Sequence, residues 1–161
     1  MQAVPGIYQK KIDKLFELRI TYFGEQCIAV KINSQKHRNG SHDWREIPTH
    51  ELEIEPYPLP QTVNLKCKAL MQNLGIVFGC FDFIVTPEGE HIFLEINEQG
   101  QFLWIEDLDP TFKMLNTFVN FLIQQGTHDA AYVNADIQTV QTLEVEANNL
   151  VVNSMNTHVH K

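Results

Sequence analysis

The sequence predicts an α+β fold, an antiparallel sheet of hairpins packed with two main helices. Three observations carry that expectation. Residues 15–32 and 75–97 each hold two alternating apolar runs about a short turn signal, Gly24-Glu25 in the first and Pro87-Glu88-Gly89 in the second. Residues 61–74 and 110–125 repeat apolar side chains at helical spacing. Turns this short join neighbouring strands as antiparallel hairpins.

Bulk properties narrow the function. A chain of 161 residues with 43% hydrophobic content fits one domain with a substantial core. Its net charge of −8 argues against nonspecific nucleic-acid binding. Cys27, Cys67 and Cys80 have no metal-ligand spacing and lie in apolar stretches, which reads as reduced core thiols and a cytoplasmic location. There is no run of 18 apolar residues and no signal-peptide pattern, so no membrane partner is expected.

In chain order, residues 7–12 read as a short sheet edge that lacks a partner. The first hairpin then places Leu18, Ile20 and Tyr22 on one face and Glu17, Arg19, Thr21 and Phe23 on the other. Arg19 is a candidate phosphate ligand, with a surface salt bridge as the plainer alternative. Residues 33–50 form a long polar loop in which Asp43-Trp44-Arg45 packs down, making Arg45 a second candidate anion ligand; His37, His42 and His50 read as solvated. A short strand is expected within 51–57. The helix at 61–74 carries a stripe of Val63, Cys67, Leu70, Met71 and Leu74, with Pro60 at its start and Gly75 at its end. Gly100 allows a turn near a ligand. Phe102 to Ile105 either pack under the sheet or line a groove. Asp109-Pro110 caps a second helix with a stripe of Phe112, Leu115, Phe118, Val119, Leu122 and Ile123. Residues 127–161 lose this periodicity and read as a weakly structured tail.

The second hairpin carries the chemistry. With Glu88-Gly89 as a two-residue loop, Val85 faces Ile92, Phe83 faces Leu94 and Asp82 faces Glu95. Phe81, Phe83, Val85, Ile92, Leu94 and Ile96 then share a core face, and Cys80, Asp82, Ile84, Phe93, Glu95 and Asn97 share the other. Two opposed carboxylates repel by roughly 3 kcal/mol at ~5 Å and an effective dielectric of ~20. A shared proton, a basic side chain or a divalent cation would compensate. Carboxylate, carboxylate and amide oxygens are hard donors that suit Mg²⁺ or Mn²⁺. The alternatives are a wet sheet edge, or a general acid/base pair of a hydrolase.

Together these stretches resemble the C-terminal half of an ATP-grasp carboxylate–amine ligase. The matching segments are Glu17-Leu-Arg-Ile-Thr-Tyr-Phe-Gly24, Asp43-Trp-Arg45, Leu74-Gly-Ile-Val-Phe-Gly-Cys-Phe-Asp-Phe-Ile-Val-Thr-Pro-Glu-Gly89 and Phe93-Leu-Glu-Ile-Asn-Glu-Gln-Gly-Gln101. The Asp-Trp-Arg and Leu-Glu-Ile-Asn-x-x-Gly-Gln forms are most similar to the peptide-maturing ligases of the microviridin, or graspetide, kind. The resemblance implies ATP- and Mg-dependent activation of a peptide side-chain carboxylate as an acyl-phosphate, closed by a hydroxyl or amine into a lactone or lactam. It implies metal ligation by Asp82, Glu95 and Asn97, and catalytic contacts from Arg19 and Arg45. It also implies nucleotide binding by Gln9, Lys10, Asp13 and Arg19. The expected partners are a ribosomally made precursor peptide and either a separate N-terminal half or a second copy of the chain. Residues 1–126 would be the C-terminal lobe, with the N-terminal lobe and part of the small ATP-clamping domain missing. The alternative implied is a noncatalytic remnant that binds peptide or nucleotide.

Overall fold

The structure, a computed structural model, describes residues 10–40 and 43–126. Gln9, His42 and the expected tail at 127–161 lie outside the described residues. The elements are β1 (Phe16–Phe23), β2 (Gln26–Ile32), β3 (Ile54–Pro56), α1 (Gln61–Leu74), β4 (Phe78–Val85), β5 (His91–Asn97), α2 (Trp104–Leu108) and α3 (Met114–Gly126). The strands form one sheet in the order β3-β2-β1-β4-β5, with every neighbouring pair antiparallel. The α+β class with hairpins and two long helices is as the sequence predicts.

Both faces of this sheet are covered over its centre, which decides where the polar residues go. On one face Leu18, Ile20, Tyr22, Phe81, Phe83 and Val85 pack with Cys67 and Met71 of α1. On the other, Phe23, Val30 and Cys80 pack with Phe102, Ile105, Met114 and Phe121. Central strand β1 is therefore buried at all eight positions, and Glu17, Arg19 and Thr21 are buried with it. Each needs a partner inside, because an unpaired polar group there costs free energy. Glu17 takes Lys14 and the Ser34 hydroxyl.

Helix α1 ends where the sequence says. Gly75 adopts φ 69°, and the Ile76 N–H donates back to the Met71 carbonyl, a left-handed termination that glycine permits at little cost. Its stripe is one residue shorter than expected, since Leu74 is half-exposed beyond the sheet. The second long helix differs more. Asp109 does accept from the Thr111 N–H, but it caps only a 3-10 turn at Pro110–Phe112. Lys113, at φ 48°, breaks the path before α3 begins. Past the break Met114 and Phe121 are buried, Phe112 and Phe118 of the expected stripe are partly buried against them, and Leu122 is exposed.

Two loop expectations are also corrected. Of the expected edge at 7–12, residues 7–9 lie outside the described residues and 10–12 carry no strand; among the described residues the sheet edges are β3 and β5. The segment after β2 is not merely a polar loop. It forms 3-10 turns at Ser34–Lys36, Trp44–Glu46 and Thr49–Glu51, and Ile47 and Leu52 join Ile32 in a third apolar cluster. His37 is not simply solvated either, as its Nε2 lies 2.8 Å from Glu51. The three cysteines are free thiols, and burial pushes Cys67 up to about 11.

The β4–β5 register holds a compensating pair of departures. The turn has three residues rather than two: Thr86 and Glu90 bond each other, and Gly89 sits at φ 84°. Val85 therefore pairs with His91 and Phe83 with Phe93. A bulge then absorbs Leu94 and restores Asp82 opposite Glu95. Between turn and bulge the faces exchange. Phe93 lies on the core side, 5.6 Å from the Phe83 ring, and Leu94 lies beside the acids.

Candidate functional site

Arg19, Asp82 and Glu95 lie in one row across β1, β4 and β5, because Arg19 pairs with Asp82 and Asp82 with Glu95. Residues directly opposite on one sheet face sit about 5 Å apart at Cβ, so the row places one cation beside two anions. Arg19 Nη1 donates to both Asp82 oxygens at 2.9 Å, and Nη2 donates to the Gln101 carbonyl at 2.8 Å. Arg19 and Asp82 are each only 5% exposed. Arg19 is thus no surface ion pair: it is buried and clamps Asp82. Its Nε is buried with no partner among the described residues.

A second arginine arrives from the loop. Asp43 accepts from the Arg45 N–H at 3.0 Å and starts the 3-10 turn Trp44–Glu46. That turn lays Trp44 on Trp104 of α2, with ring centroids 5.0 Å apart. Arg45 then reaches over the acids: its Nη2 is 3.3 Å from Asp82 Oδ2 and 3.1 Å from Glu95 Oε1. The basic side chain that the opposed carboxylates require is therefore two arginines, one buried and one half-exposed.

Arg45 and Trp44 form a wall between two cavities. One, of about 450 Å³, is lined by Arg19, Asn97, Gly100, Gln101 and Trp104. The other, of about 480 Å³, is lined by Lys14, Glu17, Asp82, Leu94 and Glu95. Segment 102–105 thus divides its duties: Phe102 and Ile105 are buried under the sheet, while Trp104 faces the first cavity. Gly100 is needed for closeness, not for turning. A Cβ there would stand 2.5 Å from Cys80 Cβ and 2.9 Å from Arg19 Nη2.

The electrostatics are uneven across the row. Burial pushes the Asp82 carboxyl above the ordinary carboxylate range, and Arg19, then Arg45, pull it back. Partial burial works against the charge of Arg45, but Asp43, Asp82 and Glu95 outweigh it and hold its pKa above the usual value. Glu95 remains half-exposed and open to an incoming ligand.

Among the described residues, no three His, Cys, Asp or Glu side chains gather around one point. A cation here would rest on Asp82 and Glu95, with Asn97 lining the neighbouring cavity and remaining positions filled by phosphate or water. That donor set fits Mg²⁺, which takes one or two carboxylates plus substrate phosphates. The Arg45 nitrogen bridging the two carboxylates shows that a positive group does lodge between them. Of the other expected nucleotide contacts, Lys10 and Asp13 are exposed and line neither cavity, and Gln9 is outside the described residues. Pattern reading did not find the Gln101 carbonyl, the Trp44–Trp104 wall or Lys14. Trp44 within a polar loop was the one visible signal.

No protein-family model matches the chain. No curated protein matches it. Solved structures do. A Chryseobacterium gregarium RiPP-associated ATP-grasp ligase, in complex with ADP and a leader and core peptide, is 33% identical; the match covers 74% of this chain and 36% of that one, with a TM-score of 0.66. The macrocyclase MdnC from Microcystis aeruginosa MRC, bound with precursor peptide MdnA, is 38% identical over 71% of this chain and 35% of its own, with a TM-score of 0.59. The macrocyclase MdnB from the same source is 28% identical over 72% and 40%, with a TM-score of 0.57. The chain therefore spans only about 35–40% of the length of the solved ligases it matches. Over that span the chain is similar in fold and sequence to the solved RiPP ATP-grasp ligases.

Proposed function

We propose that this chain is the C-terminal, metal- and nucleotide-holding lobe of an ATP-grasp ligase that modifies a ribosomal peptide. One observation carries the reading: the row Arg19–Asp82–Glu95, bridged by Arg45, beside two cavities. A hydrolytic acid/base pair fits less well. Asp82 is clamped by Arg19 and bridged by Arg45, which leaves it ill-placed to exchange a proton with a substrate.

In this reading Asp82, Glu95 and Asn97 hold Mg²⁺, or Mn²⁺ in its place, which when bound neutralises ATP phosphate charge. Arg19 donates to both Asp82 oxygens and so fixes the orientation of the carboxylate. Arg45, half-exposed on its short turn, has the freedom to meet an anion such as the phosphate of an acyl-phosphate. Trp44 and Trp104 wall off water beside it. The substrate is a side-chain carboxylate of a precursor peptide, and the product a lactone or lactam of the microviridin type. A complete clamp on ATP also needs parts that the solved ligases have and that the match to this chain does not cover. Among the described residues no helix is long and apolar enough to cross a membrane.

Calorimetric titration with Mg²⁺-ADP tests the site. The wild-type chain is expected to bind and Glu95→Gln to bind at least tenfold more weakly, which is about 1.4 kcal/mol. Because Glu95 is half-exposed, this variant is expected to keep its fold. An Asp82→Asn, Glu95→Gln double variant should lose binding altogether. Metal-dependent binding that survives in the double variant would place the nucleotide elsewhere.

A further inference from the structure

The cleft contains a cation of its own. Arg45 Nη2 touches one oxygen of each acid, 3.3 Å from Asp82 and 3.1 Å from Glu95. It also accounts for much of the compensation those acids need on the open side of the row, since Arg19 approaches Asp82 from β1. We propose that Arg45 is an internal competitor for the divalent cation: with the metal site empty it neutralises the acids, and metal binding expels it and frees it for an anion. This rests on the reading of Asp82 and Glu95 as metal ligands.

The geometry makes joint occupancy unfavourable. A divalent ion bonded at about 2.1 Å to either of those oxygens would lie within about 5.5 Å of the Arg45 nitrogen, wherever around the oxygen it sat. Two positive groups that close repel strongly in a half-buried cleft. Only Arg45 is able to yield. Arg19 is 5% exposed and held by three hydrogen bonds. The Arg45 side chain is 52% exposed, springs from a three-residue turn and makes longer contacts, 3.5 Å to Asp43, 3.3 Å to Asp82 and 3.1 Å to Glu95. Its other neighbours define where it goes. The guanidinium carbon stands 5.5 Å from the Trp44 ring centroid, and Trp44 and Arg45 form the wall shared by both cavities. An Arg45 released from the acids stays on that wall and faces the cavity lined by Arg19, Asn97 and Gln99. Cation and anion then bind cooperatively, because the first to arrive removes the partner that the second would have to displace.

Metal binding without nucleotide tests this. Mn²⁺ is titrated into wild type and Arg45→Gln, with free ion read by electron paramagnetic resonance and the protein by tryptophan emission. The chain has two tryptophans, Trp44 and Trp104, and both stand in this wall. Arg45→Gln is expected to bind Mn²⁺ about tenfold more tightly, since one opposing charge is gone. Wild-type emission should shift on Mn²⁺ binding as the guanidinium leaves Trp44, and the variant should show no such shift. Equal or weaker Mn²⁺ binding by Arg45→Gln overturns the competition while leaving the metal site in place. Absence of Mn²⁺ binding in both proteins overturns the metal reading and the competition with it.

Discussion

Arg19→Met is expected to cost about 3–5 kcal/mol of folding stability, the range for breaking a buried ion pair by removing one partner. The cost comes from what is left behind. Asp82 is 5% exposed, and both its oxygens accept from Arg19. Without Arg19 its remaining neighbours are Glu95, which repels it, and Arg45, 3.3 Å away and half in solvent. For a small domain stable by about 5–15 kcal/mol this is a large fraction, visible as a fall of about 2 M in the urea midpoint. The loss should also depend on pH. Burial already raises Asp82, and Arg19 is the largest influence lowering it, so the variant's folded pKa stands well above its unfolded one. A raised group contributes stability that is fully present below the unfolded pKa and lost as pH rises through the folded pKa. The difference from wild type is therefore smallest in acid and grows towards neutrality. Arg19→Met with Asp82→Leu removes both charges and should recover most of the loss. If the double variant is as unstable as the single one, Arg19 acts through packing of its stem and not through charge.

The burial of this pair explains what a sequence can and cannot reveal. Alternation in Leu18, Arg19, Ile20 and Thr21 correctly assigns faces within β1, because that depends only on a period of two. It does not say that β1 lies beside β4, 63 positions away at the Arg19–Asp82 contact. That neighbour turns Arg19 from an exposed cation into a clamp. The second hairpin shows the opposite case. Asp82 opposite Glu95 was readable, although the turn has one residue more than the two assumed. The bulge at Leu94 cancels the difference before the acids are reached, and the change of face is confined to the stretch between turn and bulge, Ile92, Phe93 and Leu94 among it. Helix periodicity located α1 to the residue, since Gly75 ends it by its own backbone preference. It missed the start of α3, because the Lys113 break is a matter of backbone angle that no apolar spacing records. The resemblance to ligase motifs picked out Asp43-Trp44-Arg45 without showing why the three belong together. The structure supplies the reason: Asp43 caps the turn, Trp44 anchors it on Trp104, and Arg45 is thereby aimed at the acids.

Gly100→Ala is expected to lower stability by about 2–3 kcal/mol and to weaken Mg²⁺-ADP binding in the same variant. The added methyl would meet Cys80 Cβ at 2.5 Å, Cys80 Sγ at 2.7 Å and Arg19 Nη2 at 2.9 Å. None of these can easily step aside. Cys80 is fully buried within β4, and its Sγ already contacts Thr21 and the Gly100 carbonyl. Arg19 Nη2 is fixed by the Gln101 carbonyl, the next residue along the same loop. So the loop must lift away from the sheet, and as it lifts it takes the Gln101 carbonyl from Arg19. The guanidinium then loses one of its supports, and the Asp82 carboxylate loses its fixed orientation. A purely local clash would lower stability and leave nucleotide affinity unchanged per folded molecule. A clash transmitted through Arg19 lowers both, and the two are separated by measuring urea denaturation and calorimetric binding on the same preparation at a temperature where the variant is folded. Gly89→Ala provides the contrast. It strains a positive-φ turn with nothing within 4 Å of the new methyl, and so should cost about 1 kcal/mol of stability without touching affinity. Equal affinity losses in the two variants would show that binding follows general stability, and the loop at Gly100 would then have no special hold on the site.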